Sequence, residues 1–197
     1  MHTILYLARH GETVWNKQQR FQGQLDSELT EQRELQSKRI ATELKNKRID
    51  MIVSSPLGRA VATANLCEQQ LKVNIQSNDQ LLERHLGDWQ GQYLNVLERD
   101  AQYDEILRKY TNLSPKGGES AKECGERVYN ALAFIAQQCK YKTILVIFHG
   151  EALRCFLHFI GVHYTENAYQ LFGNGSVQQL SYHHHNAMFE YLPHEQG

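Results

Sequence analysis

Long apolar runs are missing from this 197-residue chain, and no segment approaches the roughly 20 residues that a membrane-crossing helix requires. The beginning is short of apolar length as well. Met1-His2-Thr3 leads into only five such residues, 4–8, before Arg9-His10, without the apolar stretch and small-residue cleavage site of a secretory leader. Cysteine is scarce: Cys67, Cys124, Cys139 and Cys155 form neither a CxxC pair nor a dense disulfide framework, so reduced thiols in a cytoplasmic protein are expected. Neither sign of charge dominates. With 21 basic and 22 acidic side chains the net charge of -1 creates no global field for a nucleic-acid backbone or an anionic membrane, so any anion site must be local. Repeats, low-complexity linkers and a proline-rich hinge are also absent, which leaves one compact domain over residues 1–197, below the roughly 250–300 residues where single cores stop growing.

What is present is an alternation of strand and helix patterns. Residues 3–8 and 143–148 are almost continuously apolar and β-rich, as strands buried on both faces of a parallel sheet are. Met51-Ile52-Val53-Ser54 predicts a shorter strand and Val73-Asn74-Ile75 another, separated by a helix over about 56–71 that Ser55 caps and Pro56 opens. Thr30 is expected to cap a helix running to about Lys45. Ser120-Ala121-Lys122-Glu123 reads as a capping box ahead of Val128, Leu132 and Ile135. Residues 93–110 predict a more polar helix, and 170–180 and 188–192 late strands around the turn Gly173-Asn174-Gly175. This order points to an α/β sandwich of three layers with a mostly parallel central sheet, which binds ligands at the carboxyl edge of its strands.

Both of the most apolar strands run into the same tripeptide, His10-Gly11-Glu12 and His149-Gly150-Glu151. If these strands are adjacent and parallel, His10 and His149 meet although 139 positions separate them. A lone histidine under a sheet edge is ordinarily structural. Two imidazoles joined by the guanidiniums of Arg9 and Arg59 instead make a pocket for a dianion, because arginine forks match phosphate oxygens in pairs. The N–H groups near Ser55-Pro56 are expected to add the positive end of a helix. The triplet His183-His184-His185 is less telling. Consecutive side chains of an extended segment point to opposite faces and do not close a metal shell. Trp15 and Trp89 accompany the motifs as cleft wall or substrate contact.

In six blocks, kept in order, the chain resembles the histidine phosphatase superfamily, which includes phosphoglycerate mutases, bisphosphatases and small broad-specificity phosphatases. The blocks are Arg9-His10-Gly11-Glu12-Thr13 with Trp15-Asn16; Arg20-Phe21-Gln22-Gly23 with Leu29-Thr30; Ser54-Ser55-Pro56 with Arg59-Ala60 and Thr63-Ala64; Glu83 with Gly87-Asp88-Trp89 and Gly91; Gly118-Glu119-Ser120; and His149-Gly150. The resemblance implies a phosphoglycerate mutase-like fold and a phosphomonoesterase acting on a small phosphorylated metabolite. It implies His10 as nucleophile, Glu83 as proton donor, Arg9, Arg59 and His149 as phosphate clamp, and Asn16 and Gln22 as further phosphate-lining groups. No metal or cofactor is implied. The partner is a small phosphate ester, with a homodimer left open, and residues 92–116 are expected to form the variable, substrate-facing segment.

Chemistry fits this division, since phosphoryl transfer depends chiefly on positioning and charge stabilisation. Leu81, Leu82 and Leu86 around Glu83 favour its protonated form, and Arg84 opposes that if it points inward. Departures from the family pattern are Glu151, where a second glycine is common; Phe148, where a small hydroxyl residue is usual; Gln32-Arg33; and Gln90. A carboxylate at Glu151 beside a dianion is repulsive unless it faces solvent or a cationic part of the substrate. The mutase alternative expects a longer insertion than the 30 positions from Gly87 to Gly117, with extra basic residues, for which Arg99, Arg108 and Lys109 are available. A non-catalytic phospholigand-binding module is the second alternative. A dinucleotide-binding fold is disfavoured because no GxGxxG follows the first strand.

Overall fold

The computed structural model describes residues 2–164, 166 and 168–192. In chain order these contain β1 (His2–Arg9), α1 (Val14–Lys17), α2 (Gln32–Leu44), β2 (Met51–Ser54), α3 (Gly58–Leu71), β3 (Ile75–Ser77), α4 (Leu94–Leu97), α5 (Ala121–Gln138), β4 (Thr143–Phe148), α6 (Gly150–Phe159), α7 (Ala168–Leu171), β5 (Val177–His183) and β6 (Met188–Leu192). The strands form one sheet in the order β3-β2-β4-β1-β5-β6. The first four in that order are parallel, and β5 and β6 add an antiparallel flank.

Alternation along the strands divides the interior into two layers, because successive side chains point to opposite faces. Leu5 and Leu7 of β1 join Ile144, Val146 and Phe148 of β4 beneath α5 and α6, against Val128, Leu132, Leu153 and Phe156. The intervening Tyr6, Ala8, Leu145 and Ile147 face the other way, onto Ile40 and Leu44 of α2 and Ala60 and Ala64 of α3. The result is the expected three-layer α/β/α arrangement. A third cluster of Phe21, Leu86, Trp89, Leu97, Tyr103, Ile106 and Leu107 stands apart from both layers.

Several local expectations change in the fold. The capping box at Ser120 is present: Glu123 N–H donates to Ser120 Oγ at 3.2 Å, and Ser120 N–H to Glu123 Oε2 at 2.8 Å. Thr30, by contrast, caps nothing. Its hydroxyl donates to Glu12 Oε1 at 2.7 Å, and α2 starts after Glu31 without a side-chain cap. Helix α3 begins at Gly58, not Pro56, and its first N–H donates to Asp26 Oδ2 at 2.7 Å.

The helix expected over 93–110 breaks into α4 and a wide turn at Asp104–Arg108 closed from Lys109 N–H to Asp104 O at 3.1 Å. On one unbroken helix Leu97 and Ile106 would point to opposite sides, and both are buried in the same cluster. The strand expected at 170–180 is also displaced, since α7 occupies Ala168–Leu171 and β5 starts at Val177 after the turn at 173–175. The third strand falls at Ile75–Ser77, two residues beyond its expected start. Among the described residues no helix is long and apolar enough to cross a membrane.

Helix α5 packs tightly on α6 at Gly125, where a Cβ would stand 2.6 Å from the Cys155 carbonyl oxygen and 2.7 Å from Tyr110 Oη. Gly125→Ala is therefore expected to lower unfolding free energy by about 1–3 kcal/mol through overpacking. Urea denaturation checks this, and an unchanged midpoint would mean that the two helices separate without cost.

Candidate active site

The register between β1 and β4 creates the site. Arg9 pairs with Phe148, so the next residues, His10 and His149, leave the carboxyl edge together. Their ring centroids lie 5.3 Å apart, and His10 N–H donates to Phe148 O at 3.0 Å. On the far side of β4, Ser54 pairs with Ile147, which places Ser55 Oγ 2.7 Å from His149 Nε2. Ser55 thus holds the second imidazole; its expected role as helix cap is reduced to a long 3.4 Å contact from Leu57 N–H.

The hydrogen bonds of His10 fix its tautomer. The carbonyl of Gly11, 2.8 Å from Nδ1, can only accept, so Nδ1 carries the proton. Arg59 Nε–H, 3.2 Å from Nε2, can only donate, so Nε2 presents a lone pair. Burial first, then the charges of Arg59 and Arg9, hold the pKa of His10 well below the ordinary histidine value. The ring is thus neutral and its Nε2 basic electron pair is available at neutral pH. His149 is lowered in the same way, by burial first and then by Arg59, His10 and Arg9.

Arg59 enters from the first turn of α3 and is 2% exposed. Its donors go to the carbonyl of Gly23 (2.6 Å), the carbonyl of Leu25 (2.7 Å) and Asp26 Oδ1 (2.8 Å). Asp26 therefore does two things, pairing with Arg59 and capping α3, and so takes the helix N–H that the sequence had assigned to the anion. Arg9 donates to Phe172 O at 2.5 Å and packs against Gly150, where a Cβ would stand 3.3 Å from Arg9 Nε. A side chain there would press the Arg9 guanidinium aside by a few tenths of an ångström.

Glu83 is clamped at the start of α6. Its Oε1 accepts from Arg84 N–H and Ala152 N–H, each at 2.8 Å, while Oε2 receives only Glu151 N–H at 3.3 Å. The outcome for its acidity is a competition. Burial raises the pKa and is the largest influence, Arg59 and the backbone donors lower it, Glu151 raises it again, and the net direction is upward.

Arg84 points inward, as the sequence left open, but its guanidinium turns to Glu151 (3.4 Å), Ile106 O (2.8 Å) and Glu119 O (2.9 Å). Glu151 lines the cleft, but its buried carboxylate is held by guanidiniums. Arg154 grips it in two-pronged fashion, at 3.1 and 3.0 Å, and Arg84 adds a third contact. These guanidiniums, Arg154's foremost, draw the pKa of Glu151 below the usual carboxylate value despite burial.

A narrow cleft opens at this edge, and six of the seven expected residues line it: Arg9, His10, Asn16, Gln22, Arg59 and Glu83. The seventh, His149, is fully buried beside His10 and does not line the cleft. Asn16 Oδ1 accepts from Thr13 Oγ1 and from Asn174 Nδ2, both at 3.1 Å, leaving its amide NH2 as the group able to meet an anion. Asn174 also donates to His10 O at 3.0 Å.

Asn174, Asp26 and Arg154 are supports the sequence reading missed. A Gly-Asn-Gly turn gives some signal, whereas nothing around Asp26 does. Trp15 and Trp89 line no part of the cleft: Trp15 carries the guanidinium of Arg20 at 4.1 Å, and Trp89 stacks on Tyr103. His183 pairs with Glu190 and His184 with Thr3, and among the described residues no cluster of three or more His, Cys, Asp or Glu is set to hold a metal ion.

Removing the Glu151 carboxylate leaves two buried guanidiniums without their shared anion. Glu151→Ala is expected to lower unfolding free energy by about 3–5 kcal/mol, and the double variant Glu151→Leu with Arg154→Leu by less, because it leaves one buried guanidinium, that of Arg84, without its carboxylate instead of two. Chemical denaturation of both variants checks the order, and a double variant less stable than the single one would contradict it.

The sequence fits the description of the histidine phosphatase superfamily (branch 1) over residues 5–193. It is 35% identical over 157 residues to an Escherichia fergusonii protein described as a probable phosphoglycerate mutase, GpmB, covering 78% of this chain and 72% of that one. Among solved structures, YhfR of Bacillus stearothermophilus superposes with a TM-score of 0.85 at 27% identity, over 97% of this chain and 96% of its own. A mycobacterial glucosyl-3-phosphoglycerate phosphatase in complex with VO3 gives a TM-score of 0.83 at 28% identity, over 98% of both chains. By sequence from residue 5 to residue 193, and by fold over nearly its whole length, this chain belongs to the histidine phosphatase superfamily.

Proposed function

We propose that this enzyme hydrolyses small phosphate monoesters through a phosphohistidine formed on His10. The observation that carries the reading is the fixed neutral tautomer of His10, which lines the cleft with Arg9 and Arg59 and whose Nε2 lone pair meets Arg59 Nε–H, a contact that an incoming phosphoryl group replaces. The two guanidiniums hold the non-bridging oxygens of the phosphoryl group, and the amides of Asn16 and Gln22 complete the cradle. His149, kept neutral by burial and then by the same positive field, regains its proton when a bound dianion offsets the arginines, and joins these four groups as a fifth from behind His10.

The steps balance without further reactants. Nε2 attacks phosphorus as the ester P–O bond breaks, and the departing alkoxide takes the proton of Glu83. Oε2, the less restrained oxygen of Glu83, is the one able to carry that proton. A water molecule then attacks phosphorus, passing its proton to the Glu83 carboxylate. The P–N bond breaks, and His10 returns to its starting tautomer with Nδ1 still bonded to Gly11 O.

A mutase reading has support from the likeness to the probable phosphoglycerate mutase. It requires cations for a substrate carboxylate, and the three candidates stand elsewhere. Arg99 is exposed, while Arg108 and Lys109 line a separate cavity and pair with Asp104 and Glu105. Hydrolysis is therefore the better-supported outcome.

With a phosphate ester labelled in its phosphoryl group, acid-labile label is expected on the wild-type chain and none on His10→Ala, whose turnover falls to the uncatalysed background. Label recovered at another residue overturns the assignment. Ester binding without phosphate release favours a ligand-binding module, and transfer to a phosphoglycerate acceptor in preference to water favours the mutase.

Glu83→Gln is expected to slow an alkyl phosphate by about 10²–10⁴-fold and p-nitrophenyl phosphate far less, since that leaving group needs little protonation. Because burial raises the Glu83 pKa, the acid form persists above the ordinary carboxylate range; activity on the alkyl ester then falls as pH rises through that raised value. The alkaline limb should vanish in Glu83→Gln. Equal losses on both esters would remove Glu83 as the acid.

A further inference from the structure

The cleft's positive groups are all committed to one anion. Among its described lining residues the only cationic side chains are Arg9 and Arg59, and both flank the phosphoryl position next to His10. Glu151, also on the wall, spends its carboxylate on Arg154 and Arg84. Elsewhere the wall includes the apolar Phe21, Leu86 and Ala168. A carboxylate or second phosphate on the substrate would be desolvated there with no partner, which is costly.

A second cavity shares Asn16 and Phe21 with the cleft and is completed among the described residues by Gln19 and Leu94. No charged side chain lines it there. Its geometry follows from two tethers between the α1 end and α4: Leu94 N–H donates to Gln19 O at 2.8 Å, and Arg20 bridges to Tyr93. Apolar lining with a few amides is what an uncharged organic group selects.

We infer that the organic part of the substrate is uncharged and largely apolar, an aryl or alkyl group seated against Phe21 and Leu94 in this second cavity. The inference rests on the hydrolase reading above and adds the substrate class to it. Phosphate monoesters carrying a carboxylate are discriminated against because the cavity supplies neither a cation nor enough polar groups to replace water.

The test compares benzyl phosphate with 4-carboxybenzyl phosphate, which share a leaving alkoxide and differ in one charge. The expected kcat/KM ratio is at least about tenfold in favour of benzyl phosphate. Leu94→Lys, and independently Gln19→Lys in case the first variant folds poorly, should narrow or reverse that ratio by raising activity on the carboxylated ester. Equal activity on the two esters in the wild type, or lysine variants with an unchanged ratio, overturns the inference while phosphate release still supports the hydrolase. Absence of phosphate release from either ester by the folded wild-type protein overturns the hydrolase reading and the inference with it.

Discussion

Burying positive charge without letting it be neutralised is the constraint around which this edge of the sheet is organised. Arg59 is almost wholly enclosed, and an enclosed guanidinium must have its donors met. The chain meets them with the carbonyls of Gly23 and Leu25, and with one carboxylate, Asp26, that reaches in from a partly exposed position. Backbone carbonyls satisfy N–H groups while leaving the formal charge intact. Burial first, and then this residual field, draws protons off His10 and His149, and this keeps the proposed nucleophile neutral. Loop 20–26 is shaped by this duty.

A second buried charge network stands behind Glu83 and has the opposite task. In the proposed reaction Glu83 must keep its proton, yet Arg84 is its neighbour in sequence and Arg59 shares its cleft. Glu151 resolves the conflict by drawing the Arg84 guanidinium toward itself and Arg154, deep under α6, where Arg84 also bonds to the carbonyls of Ile106 and Glu119. A residue that departs from the common family pattern thereby takes a structural role. Its cost is two guanidiniums and a carboxylate out of water, an arrangement that confers order more readily than stability.

Much of this was legible in the sequence. Two continuous apolar runs that end in the same His-Gly-Glu identified the central strands, because only a strand buried on both faces has no polar side. The capping box at Ser120 could be read because both partners lie within four residues. What misled was local pattern overruled from a distance. Thr30 resembles a cap until Glu12 claims its hydroxyl, and Ser55 resembles one until His149 does. The stretch 93–110 has helical composition, but burying Leu97 and Ile106 in one cluster excludes a continuous helix.

By itself the sequence determined which chemical groups are available and the order in which strands and helices deliver them: His10 and His149 after apolar strands, Arg59 in the first turn of a helix, Glu83 among leucines. Only the tertiary structure decided what those groups are. The parallel register of β1 with β4 set the two rings side by side, Gly11 and Arg59 selected the tautomer of His10, and Arg154 turned Glu151 from an apparent intruder into an internal counter-ion. The reason is that protonation state, tautomer and charge compensation depend on the distances and dielectric that surround a group, and these come from residues far away along the chain.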